Sequence, residues 1–262
     1  MIRYLKLAIV QLRISAAAAM TYRADFLLEG VMAVLWFGLT VLPLIVVYSA
    51  RDSVAGWDAP AALIVIAFFM GIRAVLEGLV SPSLIAMVEQ IRSGAFDYVL
   101  LKPADAQALV SSARIEPWKV FDLIGAIGLV VYALIVRGTV PEPLDVMLAV
   151  VLFVGGVLTM YAFWVICASA SFWVVRLDNL PYLLGAVFDT ARWPVHVFRG
   201  LWRIVFTFVI PVAVMTTFPA MALLGTATST VAIGSLVGAF SLVVVSRLVW
   251  RSAIRNYTSA SS

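Results

Sequence analysis

The chain has 262 residues, of which 64% are hydrophobic and 12% charged, and its mean hydropathy is +1.08. Water-soluble domains run at roughly 45–50% apolar and about 25% charged, so this chain lacks the polar surface to cover a water-facing exterior. One cysteine and one histidine exclude a disulfide framework and a cysteine-based zinc site, and the net charge of +4 speaks to orientation in a membrane rather than to nucleic acid.

In chain order, Arg3 and Lys6 precede an apolar stretch, and Ala16 to Ala19 resemble a cleavage site. Gln11 and Arg13 interrupt the run, so the segment is expected to be retained. On a helix, Arg3, Lys6 and Arg13 fall within an arc of roughly 80°. Residues 1–22 therefore read as an interfacial helix with its basic stripe toward the headgroups. Six apolar runs follow, at 26–48, 61–80, 120–136, 146–175, 204–224 and 231–250. Backbone in lipid must satisfy its own hydrogen bonds, so the runs are helices, and none alternates as a barrel strand would. The expected fold is all-α: one polytopic transmembrane domain over 1–262 with six spans. With both termini in the cytoplasm, fifteen of the eighteen basic residues lie inside, and only Arg51 and Arg137 fall in outer loops.

Several stretches carry more than hydrophobicity. Arg73 and Glu77 stand four apart in the second run, on one helix face. Charges at that depth pair and face the bundle interior, either on a substrate path, at a contact between subunits, or as a self-neutralising pair. Glu29, near the start of the first run, reads as interfacial. The inner segment 85–118 is long for a connection. Within it Gly94 and Pro103 are helix stops, and between them Phe96, Val99 and Leu100 recur at helical spacing. This amphipathic turn must bury its apolar face against its own helices, the membrane or a partner. Residues 180–203, with Trp193, Trp202 and several arginines, read as a cytoplasmic interfacial segment, and His196 within it as structural. Pro211, Thr216, Thr217, Phe218 and Pro219 mark the fifth run as a broken helix, which must be buried in protein or line a cavity. Gly234 and Gly238, four apart in the sixth run, and the small residues 168–171 in the fourth are expected to serve internal helix packing.

The run from Glu89 to Pro103 resembles the cytoplasmic segment between helices two and three of ABC-2 type permeases, the membrane subunits of bacterial ATP-binding-cassette exporters. Gly94, Ala95, Phe96, Asp97, Val99, Leu100 and Pro103 stand at the family's motif positions, with Glu89 and Arg92 as the charged residues before the glycine. Ala95 replaces the usual threonine and Asp97 the usual glutamate, which marks a divergent subfamily. The resemblance implies that these nine residues form a coupling helix for a separate ATPase subunit, and that a second permease subunit, a copy or a different chain, completes the pathway. It also implies a multi-pass protein of the bacterial inner (plasma) membrane, with a re-entrant segment near 217–225 that helps close an outer gate, for which Pro211, Thr216, Thr217, Phe218 and Pro219 are the candidate residues.

The chain has no G-x-x-x-x-G-K-[ST] pattern, no H-E-x-x-H and no G-x-S-x-G. It is therefore expected to be no enzyme and to hold no cofactor, with ATP and magnesium on the partner. Partners of the resembled kind are the ATPase, the second permease subunit and the lipid bilayer. Two other readings share the spans: a membrane scaffold without transport, and an ion-coupled carrier that would need charges at the midplane.

Overall fold

The computed structural model describes residues 10–11, 13–15, 17, 23–173 and 180–257. The interfacial helix expected over 1–22 therefore lies mostly outside the described residues. The Gln11 side chain does donate to the Ala113 carbonyl at 2.7 Å, so the N-terminal segment meets the long connection.

Helix α1 (Arg23–Ser49) leads to a two-residue turn between β1 (Ser53–Val54) and β2 (Trp57–Asp58). The turn residues Ala55 and Gly56 both have positive φ, as a tight hairpin with right-handed strand twist requires. Helix α2 (Ala59–Val75) starts where the Asp58 carboxylate accepts the Ala61 N–H. It runs through one π turn, Leu76–Val80, into α3 (Ser81–Ser93). The second span is thus one rod of 35 residues, longer than the apolar run alone indicates. Gly94 ends it, at φ 76°, a left-handed conformation that costs an L side chain about 1–2 kcal/mol.

Short helices α4 (Asp97–Leu100) and α5 (Ala106–Ser111) follow, then α6 (Val120–Arg137) and α7 (Pro143–Ser169). After α7 come α8 (Leu180–Phe188), α9 (Leu201–Ile204), α10 (Phe218–Leu223) and α11 (Ser229–Arg255). Among the described residues, five helices are long and apolar enough to cross a membrane. A sixth crossing is counted if the arms Leu201–Val209 and Ala213–Leu223, bent by 71°, form one span. The protein is an all-α polytopic membrane protein.

The rod from Ala59 to Ser93 is the axis: 67% of its apolar window is buried, against 17% for α1 and for α6, whose leucines, valines and isoleucines face outward as lipid contact requires. Side-chain contacts fix the two ends of the bundle. At one end Arg137 chelates the Asp58 carboxylate at 2.7 and 2.8 Å, and Asp145 lies beside Gly225. At the other, Phe96, Phe172, Trp250 and Tyr257 meet.

Two expectations change here. Residues 180–203 do not lie flat across one end. Phe188 stacks on Phe69 at 5.1 Å, Ala191 and Val195 are buried, and His196 reaches the Trp57 ring at 6.0 Å. The segment runs along the axis instead, where Arg192 pairs with Asp189 and sits over the Phe69 ring. Among the described residues, Gly234 and Gly238 face open space rather than a neighbouring helix: a Cβ on either would meet none of them within 4 Å. The close approach is made by Gly156 of α7, where a Cβ would lie 2.9 Å from the Met215 Cα.

Candidate functional site

Three constellations carry polar chemistry. The first is the segment after Gly94. Phe96 is fully buried, edge-on to Phe172 and Tyr257 at 5.4 Å each and to Trp250 at 6.3 Å. Val99 is buried beside it, whereas Leu100, expected on the same face, is exposed. Tyr98 and Leu101 are more exposed still, at 73% and 80%. The motif thus has an inner anchor and an outer apolar face. Ala95 is half-buried and Pro103 exposed, while Glu89 and Arg92 pair with one another at 3.2 Å on the surface. Asp97 lies against Tyr257, and burial together with that carboxylate pushes the Tyr257 phenol up.

The connection is held rigidly beyond the motif. Asp105 caps α5 by accepting the Ala108 N–H and binds Arg247 of α11 through both carboxylate oxygens. Arg247 also donates to Gln107 at 2.6 Å, and Gln107 donates to the Tyr161 hydroxyl of α7, which Ser111 joins at 2.7 Å. The Arg247 guanidinium holds the Asp105 carboxyl below its ordinary value, against the opposing effect of burial. Buried Ser83 of α3 donates to the Arg114 carbonyl and accepts its N–H. Sequence reasoning missed Asp105, Gln107 and Arg247. The available signal was an arginine two-thirds of the way along an otherwise apolar last span.

The second constellation grows from Arg73 and Glu77. They pair at 2.6 Å, as the spacing predicts, but the pair is the middle of a chain. Lys119 binds Glu77 at 2.7 Å and Asp122 at 3.2 Å. On the other side Arg73 reaches Asp189 at 3.5 Å, and Asp189 binds Arg192 at 3.1 Å. Three cations and three anions alternate from α6 through the axis to the segment after α8. The π turn makes this possible. Its extra residue frees the Gly78 carbonyl to accept the Glu116 N–H at 2.8 Å, which draws the start of α6 against the axis. A cavity of about 260 Å³ borders the chain, walled by Glu29, Trp36, Phe37 and Trp118 as well as by Glu77 and Lys119. Glu116 stands nearby. Burial and the Glu29 charge push its carboxyl up, against Lys119 and Arg114.

The third is the break at Pro211. Both sides are π turns, Val205–Val209 and Ala213–Thr217, and the arms diverge by 71°. Thr216 and Thr217 are fully buried. The Thr216 hydroxyl donates to the Ala191 carbonyl at 2.9 Å, and Thr217 accepts the Val195 N–H at 3.0 Å. They stitch the break to the threaded segment, so they are fasteners here. Pro219 is buried in the first turn of α10, and Phe218 packs on the main core. No group of metal-ligand side chains occurs among the described residues.

No curated protein and no solved structure matches this chain. The family described as ABC-2 family transporter protein matches over residues 34–261, from α1 through all the spans and the three constellations. The chain belongs to the ABC-2 transporter family and is a transmembrane transport subunit of it.

Proposed function

We propose that this chain is the permease subunit of an ATP-driven exporter, and that a separate ATPase docks on the face formed by Glu89, Arg92, Gly94, Ala95, Asp97, Leu100 and Pro103 together with Tyr98 and Leu101. The observation that carries the reading is the exposure of Tyr98 and Leu101 directly above buried Phe96. An exposed apolar face on a mobile loop would absorb a push. This one stands on a four-ring base and is tied to α11 and α7 through Asp105 and Arg247, so displacement of the face moves the spans. ATP and magnesium belong to the ATPase in this scheme, and the permease contributes shape and register, with the Glu89–Arg92 pair setting specificity. A second permease subunit completes the pathway, both termini and the Gly94 end face the cytoplasm, and the membrane is the bacterial plasma membrane.

Co-purification with the ATPase encoded beside the permease tests this. Leu101→Asp is expected to leave the melting temperature within a degree or two and to abolish co-purification. Undiminished capture and transport after Leu101→Asp and charge reversal at Glu89 and Arg92 would refute the docking face. The ion-coupled carrier gains no support from Arg73 and Glu77, because both are neutralised within the six-member chain.

A further inference from the structure

A cleft of about 430 Å³ opens between the broken helix and α11. Its walls differ in chemistry, and among the described residues no charged residue lines it. From α11 come Gly234 and Gly238, whose α-carbons look onto empty space. From α7 comes Thr159, 1% exposed, whose hydroxyl is buried and has no hydrogen-bond partner among the described residues. An unsatisfied buried hydroxyl costs about 1–3 kcal/mol, a cost that a bound polar group removes. The third wall is the break itself. Pro211 has no N–H to give, and the Val212 N–H turns to the Ile210 carbonyl. The last carbonyls of the Leu201–Val209 arm are therefore denied the donors that a continuing helix supplies. They also carry the negative end of that arm's dipole.

We propose that this cleft seats the transported compound, and that the compound is an amphipath with an N–H or O–H donor and no anionic group. The proposal rests on the transport reading above and adds the substrate class. The volume lies within the roughly 300–1,000 Å³ of ligand pockets. The carbonyls only accept, so the ligand must bring the donor, while the Thr159 hydroxyl takes up either role. With no lysine or arginine among the described lining residues and a negative helix end facing it, a carboxylate or sulfate finds no partner there. The glycines leave room for the apolar body, and their openness shows that internal packing does not require them. Backbone broken at membrane depth and lining a cavity is the arrangement by which transporters expose main-chain polar groups to a ligand.

The test uses the full chain in nanodiscs and follows thermal unfolding by tryptophan fluorescence with 1-dodecanol, dodecylamine or dodecanoate. The first two are expected to raise the midpoint by several degrees, and dodecanoate to leave it unchanged. Gly238→Leu fills the cleft without touching the packed interior, and should keep the unliganded midpoint while losing the response. Thr159→Val removes the orphan hydroxyl, so its own midpoint should rise while the response at least halves. Equal responses to dodecanoate, or full responses in both variants, would overturn the proposal, since they report partition into the bilayer. Dissociation of a permease dimer by Gly238→Leu in light scattering, with the ligand response intact, would overturn it too by assigning the cleft to a second copy. No ATPase is present, so a failed docking experiment and a failed cleft experiment are separate results.

Discussion

Phe96 and Leu101 stand five positions apart in one motif and carry opposite duties. Phe96 is buried among three other rings, so Phe96→Ala is expected to cost about 3–5 kcal/mol in denaturant unfolding, whereas Leu101→Ala, at an exposed site, should change stability by less than about 0.5 kcal/mol. The two acids near the same end should titrate with opposite sign. Glu116 has a raised carboxyl, so the folded state binds its proton more tightly than the unfolded chain does. Its contribution to stability therefore falls as pH rises from about 4.3 through the raised folded value. Glu116→Gln should match the parent at low pH and melt higher above that window. Asp105 is held low by Arg247, so its contribution is full above about 3.9 and is lost as pH falls through the folded value. Asp105→Asn should melt lower than the parent at neutral pH and converge with it in acid. Helical spacing puts Phe96, Val99 and Leu100 on one apolar side, but which of them meets α11 depends on Trp250 and Tyr257, some 150 residues away in sequence.

At the scale of elements, the helices were legible and their bends were not. Apolar runs locate all five long helices, because length and hydropathy are what the bilayer demands. Arg73 and Glu77 were legible as a pair because four residues make one turn. Lys119, Asp122, Asp189 and Arg192 join them only through contacts between elements, which periodicity cannot reveal. The π turn is equally hidden, since one extra residue leaves no compositional trace. A double-mutant cycle at Glu77→Gln and Lys119→Met measures the coupling. Each single change leaves the partner one counter-ion, Asp122 for Lys119 or Arg73 for Glu77, and should cost about 0.5–1.5 kcal/mol, with the double change costing less than the sum. Simple additivity would mean that the chain is decorative. Deletion of Leu79 would turn α3 by about 100° relative to α2. It should uncouple Ser83 from Arg114 and abolish a cooperative melt.

For the whole molecule, the positive charge points one way, but the threaded segment alters the count. Asp189 lies at the level of Arg73, and His196 at the level of Trp57, near the hairpin end. Met215 meets Ile72's side chain at Gly156, and Leu223 shares the small core around Trp57. Both stretches climb in the same direction, so the chain between them must turn back inward at Pro211. If the arms Leu201–Val209 and Ala213–Leu223 form a re-entrant V rather than one span, the fifth crossing falls to 180–197 instead of 204–224, an arrangement that labelling tests. With Cys167→Ser as background, Arg199→Cys and Thr139→Cys should react with a membrane-impermeant maleimide from the same side, opposite to Lys102→Cys. Labelling of Arg199→Cys together with Lys102→Cys would restore the straight fifth span. The total of fifteen inner charges requires every arginine between spans four and five to stay inside. The remaining excess still orients the chain.

The alternating chain from Arg192 to Asp122 has one more property, an electrical one. Its six charges sum to zero. A single elementary charge carried across the full membrane does or absorbs about 2.3 kcal/mol per 100 mV. A permease that rocks its axis with a lone Arg73 would therefore run at a rate set in part by the cell's voltage. In a permease whose axis carried these charges together, each would travel beside its opposite, and the field would do no net work on the six.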